Sequence, residues 1–228
     1  LPISASTAAE STTSSVVSEA TSAAADENAA AAAQLLNDLT GSYQELWPVI
    51  LADEYKQTWL DDCTALVGED NAEAAFEKLS SMVTGDVYGE DAVKAYANGG
   101  GAYFCGFTND LATLTFDGEA STISGTDKDG NELFSHPYHY IGMEPVRGLY
   151  EFESDDADSG EFTYFFLAPD TSAETYHIEF RYGSDADALS QYDAGDYAYW
   201  LASGISTDCD QTMIDNCIEL FCTENLAG

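Results

Sequence analysis

The sequence contains very few positively charged residues. Six Lys and Arg stand against 42 Asp and Glu in 228 residues, which gives a formal net charge of −36. All six basic residues and 38 of the acidic ones fall at 35–228, so the charge belongs to the body of the chain. A surface this negative repels phosphate backbones and anionic lipids, so nucleic acids and acidic membranes are poor partners. Divalent cations and cationic partners are favoured by long-range attraction.

Long apolar runs are also missing. The longest, at residues 46–52, is far shorter than the ~20 residues that span a bilayer, so no transmembrane helix is predicted. The sequence lacks a nucleophile elbow, a metalloprotease helix and a glycine-rich loop that opens a helix. Without these motifs we do not predict an enzyme.

Residues 1–34 lack aromatic residues, Gly, Cys, Lys and Arg, and 23 of these 34 residues are Ala, Ser or Thr. Such a segment has little apolar surface to bury against the entropy of ordering it. We therefore predict a disordered stalk at 1–34. Ser/Thr-rich spacers often tether exported domains, so we expect an extracytoplasmic protein, secreted or attached to the cell surface, whose signal sequence was removed upstream.

The five cysteines fit an exported protein, and their odd number leaves at least one thiol without an intramolecular partner. Cys63 and Cys105 lie in the body of the chain, whereas the other three lie in the segment 209–228, which is predicted to form a C-terminal helix. The sequence does not define the pairing. A disulfide that fixes the tail and unpaired thiols both remain open, and the spacing matches no common zinc module.

The body of the chain changes character after a run of three glycines at 99–101. Residues 42–97 carry apolar side chains at intervals of three and four, which predicts helices. Residues 102–182 contain seven short alternating segments, the first at 102–108, separated by turn residues such as Asp117-Gly118. We predict an α+β, mainly β fold in which N-terminal helices precede an antiparallel barrel, with a short helix and an aromatic loop at 185–204.

Only three histidines are present, at 136, 139 and 177. In the last predicted strand, alternation places His177, Glu179 and Arg181 on one polar face. His136 and His139 should point to opposite faces of an earlier strand, so these two are not expected to converge.

Several short motifs, taken in order, resemble the ZinT (YodA) family, a domain that also closes the AdcA zinc-binding lipoproteins. The resemblance covers roughly 38–204, within a predicted ZinT-like domain at 35–208. Its motifs are Tyr138-x-Tyr140-x-Gly142, 147–153 (RGLYEFE), 159–164 (SGEFTY), Ala168-Pro169 and Tyr176-His177-Ile178. The resemblance implies a calycin or lipocalin-like barrel that binds zinc or cadmium outside the cytoplasm and assists zinc recruitment.

The resemblance also implies a three-histidine metal site, and this sequence departs from it. The family positions are Phe165, Thr175 and His177 here, so two of the three ligands are missing. Phe165 cannot bind a metal and Thr175 is a poor zinc ligand. A weak zinc site rebuilt from His177 and Glu179, with His136 or His139, is one hypothesis; a site of oxygen ligands for a harder cation is another.

Three functions therefore compete. The first is an exported ZinT-like binding domain with a degenerate metal site, whose partners are a divalent metal ion and metal-import machinery. The second is a barrel that has lost the metal and binds a small apolar ligand among its many Tyr and Phe side chains. The third is a surface interaction domain without small-molecule chemistry.

Overall fold

A computed structural model describes residues 24–25, 27–169 and 177–228 of the chain. Its centre is a closed antiparallel barrel of eight strands, each paired with its neighbours in chain order. The strands are β1 (Gly41–Glu45), β2 (Thr113–Asp117), β3 (Thr122–Thr126), β4 (Glu132–Met143), β5 (Tyr150–Ser154), β6 (Tyr164–Leu167), β7 (His177–Gly183) and β8 (Ala202–Ser206). This architecture confirms the predicted fold class of an antiparallel, lipocalin-like barrel with helices.

The barrel closes through two strands that the sequence did not reveal. β1, which pairs with β2 and β8, was expected to belong to the helical region at 42–97. β8 was expected in the aromatic loop at 185–204, because its small residues have little strand propensity. Both expectations are wrong. β1 and β8 are the first and last strands of the sheet, and their pairing removes the two exposed edges that an open sheet would have.

The predicted strand at 102–108 is also wrong. Within this segment Phe104 forms isolated bridges with Thr84 and Trp200, but no regular strand. Its backbone N–H donates to the carbonyl of Tyr199 at 2.9 Å. The barrel is complete without this segment, which connects the helices to the strands.

Seven helices surround the barrel within the described residues. They are α1 (27–38), α2 (Leu46–Ile50), α3 (Lys56–Val67), α4 (Glu69–Val83), α5 (Glu90–Ala97), α6 (Ala186–Leu189) and α7 (Gln211–Leu226). α1 begins inside the segment predicted as stalk, and Ala32 is fully buried with Leu35 and Leu36. The predicted boundary at residue 34 is therefore too late, because this apolar helix face packs against the barrel core. Residues 1–23 and 26 of the predicted stalk lie outside the described residues.

Two hydrophobic cores result. The first fills the barrel interior with large rings, including Phe116, Phe152, Phe165, Phe180 and Tyr182, all less than 2 % exposed. The second lies outside the wall, where α2, α3, α4 and α7 pack against β8 through Trp47, Trp59, Ile205, Ile218 and Phe221. No described helix is long and apolar enough to cross a membrane.

Candidate functional site

β7 has the alternation that the sequence predicted, but its polar face is covered. Ile178, Phe180 and Tyr182 belong to the barrel core, so His177 and Arg181 point outward. Arg181 is fully buried. Its guanidinium donates to the carbonyl oxygens of Leu189, Gln191 and Tyr197 and lies 4.4 Å from the Tyr192 ring. Arg181 thus fixes the segment after β7 onto the wall, and burial lowers its pKa.

The family's metal positions do not converge on one site. Phe165 lies inside the barrel, fully buried, with the rings of Tyr138 and Tyr182 5.4 and 5.3 Å away. His177 lies on the outer face of β7, where its ring is 5.7 Å from that of Phe221 in α7. Phe165 pairs with Tyr182, five positions along β7 from His177, which corresponds to roughly 17 Å. Thr175 lies outside the described residues.

The other two histidines are separate from His177 and from each other. His136 Nδ1 lies 2.8 Å from Asp156 Oδ2, and His139 Nδ1 lies 2.5 Å from Asp155 Oδ1. His136 shares the strand face of Tyr138 in the barrel core, whereas His139 pairs with Glu153 across the outer surface. Both lie on β4, three strands away from β7.

These placements do not fit a zinc centre. Across 27–169 and 177–228, no three His, Cys, Asp or Glu side chains are grouped so that they could hold a metal ion. Zinc sites in proteins require three or four nitrogen, sulfur or oxygen ligands from side chains. In the described structure, His177 has an aromatic ring against it and Phe165 occupies the other side of the wall.

A cleft between the helices and the barrel is the better candidate site, and the sequence analysis did not identify it. It encloses about 210 Å³. The walls are mostly apolar or aromatic and come from α2, α3, α4, α7, β7, β8 and the segment before β2. They are formed by Trp47, Trp59, Leu79, Met82, Val83, Tyr103, Leu201 and Phe221. This volume exceeds the ~150 Å³ cavity that can hold benzene, so a small ring-sized molecule fits.

Two tryptophans line the cleft, and their indole N–H groups differ. Trp59 Nε1 donates to the carbonyl of Ile50 at 2.7 Å. Trp47 is 9 % exposed, and its Nε1 is buried without any hydrogen-bond acceptor among the described residues. Leaving a buried donor unsatisfied costs on the order of 1–3 kcal/mol.

Arg147 lies in the loop between β4 and β5 and contributes a positive charge to the cleft. Its backbone N–H donates to Glu144 Oε2 at 3.0 Å, and Tyr192 Oη donates to the same oxygen at 2.8 Å. The carboxylate of Glu144 is fully buried and fixes this loop. The Arg147 guanidinium lies 4.8 Å from the Tyr192 ring and 5.8 Å from the Tyr103 ring. No carboxylate in the described part of the chain lies within salt-bridge distance of it.

Two carboxylates, Glu179 and Glu224, also line the cleft. Cys105 lines the cleft as well, and its thiol pKa is raised to about 12 chiefly by burial, with Glu179 adding to the rise. Hydrogen bonding to Ser203 and the charge of Arg147 act in the opposite direction. The Cys105 thiol is therefore neutral at physiological pH, and the cleft presents one cation and two anions around apolar walls.

Comparison with known proteins connects this fold to a metal-binding domain. No protein-family model matches the chain, and no curated protein matches it by sequence. Among solved structures, the Zn(II)-bound ZinT-like domain of Streptococcus pneumoniae AdcA matches with a TM-score of 0.50 and 14% identity, covering 79% of this chain and 87% of that one. The fold is ZinT-like. Zn(II)-bound AdcA from the same organism matches with a TM-score of 0.44 and 16% identity, covering 83% of this chain and 34% of that one.

This likeness confirms the resemblance read from the sequence motifs at the level of the fold. At 14% identity it carries no site residues across. Sequence reasoning identified the right fold but directed attention to His177, whereas the structure concentrates its unusual polar groups around Trp47 and Arg147. The one signal available in the sequence was Arg147 itself, because each of six cations in so acidic a chain is conspicuous.

Proposed function

We propose that this protein is a non-enzymatic, extracytoplasmic binding domain of ZinT-like fold that has lost the histidine metal site and binds a small, largely apolar molecule in the cleft beside Trp47. The observation that carries the proposal is a cleft of about 210 Å³ whose walls are mostly aromatic and aliphatic side chains. Binding sites for small molecules are concave and mostly apolar, with a few placed polar groups.

The proposed extracytoplasmic location of the protein rests on its sequence. The Ala/Ser/Thr-rich segment at the start of the chain and the ZinT resemblance both favour an exported protein. Because aromatic rings fill the barrel interior, we place the apolar ligand in the cleft outside the wall.

The test of cleft binding uses a small apolar probe, toluene, observed by ligand NMR, with a variant that fills the space. Val83 lines the cleft, so Val83→Phe should abolish the signal of bound toluene. Val146→Phe is the matched control because Val146 is 65% exposed and does not line the cleft. Toluene binding that persists in Val83→Phe, or no binding to the unmodified protein, would overturn the cleft as the binding site.

Zinc capture is the second candidate, because the ZinT-like domain of AdcA is Zn(II)-bound. In this chain such a site would have to use His177 and Glu179 with weak additional ligands, and it would supply metal to import machinery. Isothermal titration with zinc separates the two candidates. We expect no stoichiometric binding at high micromolar zinc. Submicromolar binding that is lost in His177→Ala would restore the metal function.

A further inference from the structure

Two of the five cysteines meet in the second core. Cys63 lies in α3 and Cys222 in α7, and their sulfur atoms are 3.9 Å apart although 159 positions of sequence separate the two residues. Both side chains are fully buried. A disulfide bond is about 2.05 Å long, so a shift of about 1 Å by each sulfur atom would close the gap. The fold therefore places these two thiols where a bond between them requires only a small movement.

The helical geometry of α7 separates Cys222 from its nearest cysteine in the sequence. Cys217 lies in the same helix, five residues before Cys222. A step of five residues turns about 140° around a helix axis, so the two side chains leave α7 on different sides. In the folded protein, α7 thus presents Cys222 to Cys63 and directs Cys217 elsewhere.

Negative charges beside the pair oppose the contact of α7 with α3. Asp62 directly precedes Cys63 in α3. Burial raises the pKa of the Asp62 carboxyl group, and the carboxylates of Glu219 and Asp215 in α7 add to the rise. Like charges at a partly buried contact repel each other more strongly than they would in water. A covalent bond between the neighbouring cysteines would hold the two helices together against this repulsion.

The same two helices provide one side of the cleft. Trp59 lies one turn before Cys63 in α3, and Phe221 is next to Cys222 in α7. The rings of Trp59 and Phe221 both pack against Trp47, with centroid distances of 6.3 and 4.7 Å. A bond between α3 and α7 would therefore also fix the position of these cleft walls.

We propose that Cys63 and Cys222 are a redox modification site whose disulfide joins α7 to α3 and fixes this side of the cleft. With oxidised glutathione, one cysteine thiolate displaces a glutathione thiolate, and the second cysteine then displaces the other. The net reaction converts two protein thiols and one oxidised glutathione into one protein disulfide and two molecules of reduced glutathione. Because both thiols are buried, the exchange takes place during folding or when α7 opens locally.

Formation of this bond in the cell requires an oxidising compartment, and this part of the proposal rests on the extracytoplasmic location proposed above. The chemical preference for this pair does not depend on that location or on the ligand of the cleft. It can therefore be tested with the purified protein.

The first experiment asks whether the fold selects this pair. The protein is refolded with oxidised and reduced glutathione, the remaining thiols are alkylated, and peptide mapping without reduction locates the bond. Of the five thiols, all but Cys63 and Cys222 should be alkylated. The control is oxidation in concentrated urea, where Cys217 should pair with Cys222 more often because closing a short loop costs less entropy. No bond or a different pair in the folded protein, or Cys63–Cys222 as the main product in urea, would overturn the selection by the fold.

The second experiment measures what the bond does to α7. Amide hydrogen exchange, followed by mass spectrometry, compares the oxidised and the reduced protein. Exchange of the α7 amides should be slower by at least about tenfold in the oxidised protein, because the bond restricts the opening of α7 away from α3. α5, which lies outside the second core, is the internal control and should exchange at the same rate in both states.

The matched variant combines Cys63→Ala with Cys222→Ala and should show the same α7 exchange under oxidising and reducing conditions. The comparison of the two redox states of the unmodified chain does not require that this variant folds. Equal α7 exchange in the two states, with the bond verified by mapping, would overturn the role of the disulfide in fixing α7. Failure of toluene to bind either state would contradict the proposed function instead and would leave the disulfide unaffected.

Discussion

The two hydrophobic cores of this protein differ in how completely they are filled. Inside the barrel, Phe165 packs against rings on several strands, with Phe134 5.6 Å away and Tyr182 5.3 Å away. Outside the wall, the second core contains rings of similar size, such as Trp47 and Phe221 at 4.7 Å, yet it borders the cleft. The same kind of side chain thus fills the interior in one region and lines a cleft in the other.

The difference follows from how each region is held. Strands of a closed barrel are fixed on both sides by hydrogen bonds, so inward side chains have one shared interior to fill. The helices outside the wall come from separate parts of the chain and pack mainly through their side chains. Gaps between such helices are set by the shapes of a few residues, and the cleft lies in such a gap.

The largest expected effect is the loss of a ring from the barrel interior. Phe165→Ala should lower the free energy of unfolding by about 3–5 kcal/mol, because a fully buried ring leaves a cavity that the closed barrel cannot collapse. Leu79→Ala in the second core should cost less, about 2 kcal/mol, since Leu79 borders the cleft. Chemical denaturation measures both, and equal costs would contradict the contrast between the two cores.

A second substitution at Phe165 tests whether this position and His177 could share a metal site. Phe165→His restores the family's residue, but the new imidazole would point into the barrel while His177 points outward. We therefore expect Phe165→His to destabilise the protein and to leave zinc affinity unchanged in calorimetry. A gain in zinc affinity would show that the two positions share a site and would overturn the assignment of opposite faces.

The next expected effect on stability is in the second core, outside the barrel wall. There Cys63 in α3 and Cys222 in α7 face each other. Their sulfur atoms are 3.9 Å apart and both side chains are fully buried. Under oxidising conditions, for example with oxidised glutathione, the two thiols should lose two protons and two electrons and form a disulfide. Closing a loop between residues 159 positions apart should stabilise the protein by about 3 kcal/mol. Burial raises the pKa of both thiols, so the reaction should accompany folding.

Peptide mapping by mass spectrometry without reduction checks this pairing, and denaturation with and without reductant measures its effect. Cys63→Ala combined with Cys222→Ala should remove the difference between the two conditions. Cys209→Ala, which changes a half-buried thiol, should leave it in place. Finding Cys222 joined to Cys209 or Cys217 in the folded protein would contradict the prediction.

The smallest expected effect on stability comes from the negative charge of Asp62 in α3. Burial raises the pKa of Asp62, and repulsion from Glu219 and Asp215 adds to the rise. A carboxyl group whose pKa is raised on folding favours the folded state when protonated, so this stability is present below pH 3.8 and is lost as the pH rises through the folded-state pKa. Asp62→Asn should therefore raise the melting temperature at pH 7, by roughly 1–3 °C.

That gain should disappear in thermal scans at about pH 3 and below, where Asp62 is mostly protonated in both states. Asp129→Asn, on an exposed turn, removes the same charge and should raise the melting temperature less. An equal gain in both variants would mean that general repulsion among the acidic residues, rather than the local contact of α3 with α7, is responsible.

Much of the fold could be predicted because it depends on local patterns. Turn residues such as Asp117-Gly118 separate alternating segments, and these became consecutive barrel strands. Alternation also placed His177 and Arg181 on the same face of β7 correctly. It could not show that this face is covered, because burial of Arg181 depends on three carbonyl groups from residues 189–197.

The sequence by itself determined the acidic character of the protein and the meander of short strands. Tertiary structure decided where the barrel closes, since β1 and β8 meet from opposite ends of the chain. It also brought Trp47 and Arg147 to one cleft, although 100 positions of sequence separate them. Periodicity reports which face of an element is apolar, but contacts between distant elements depend on how those faces assemble.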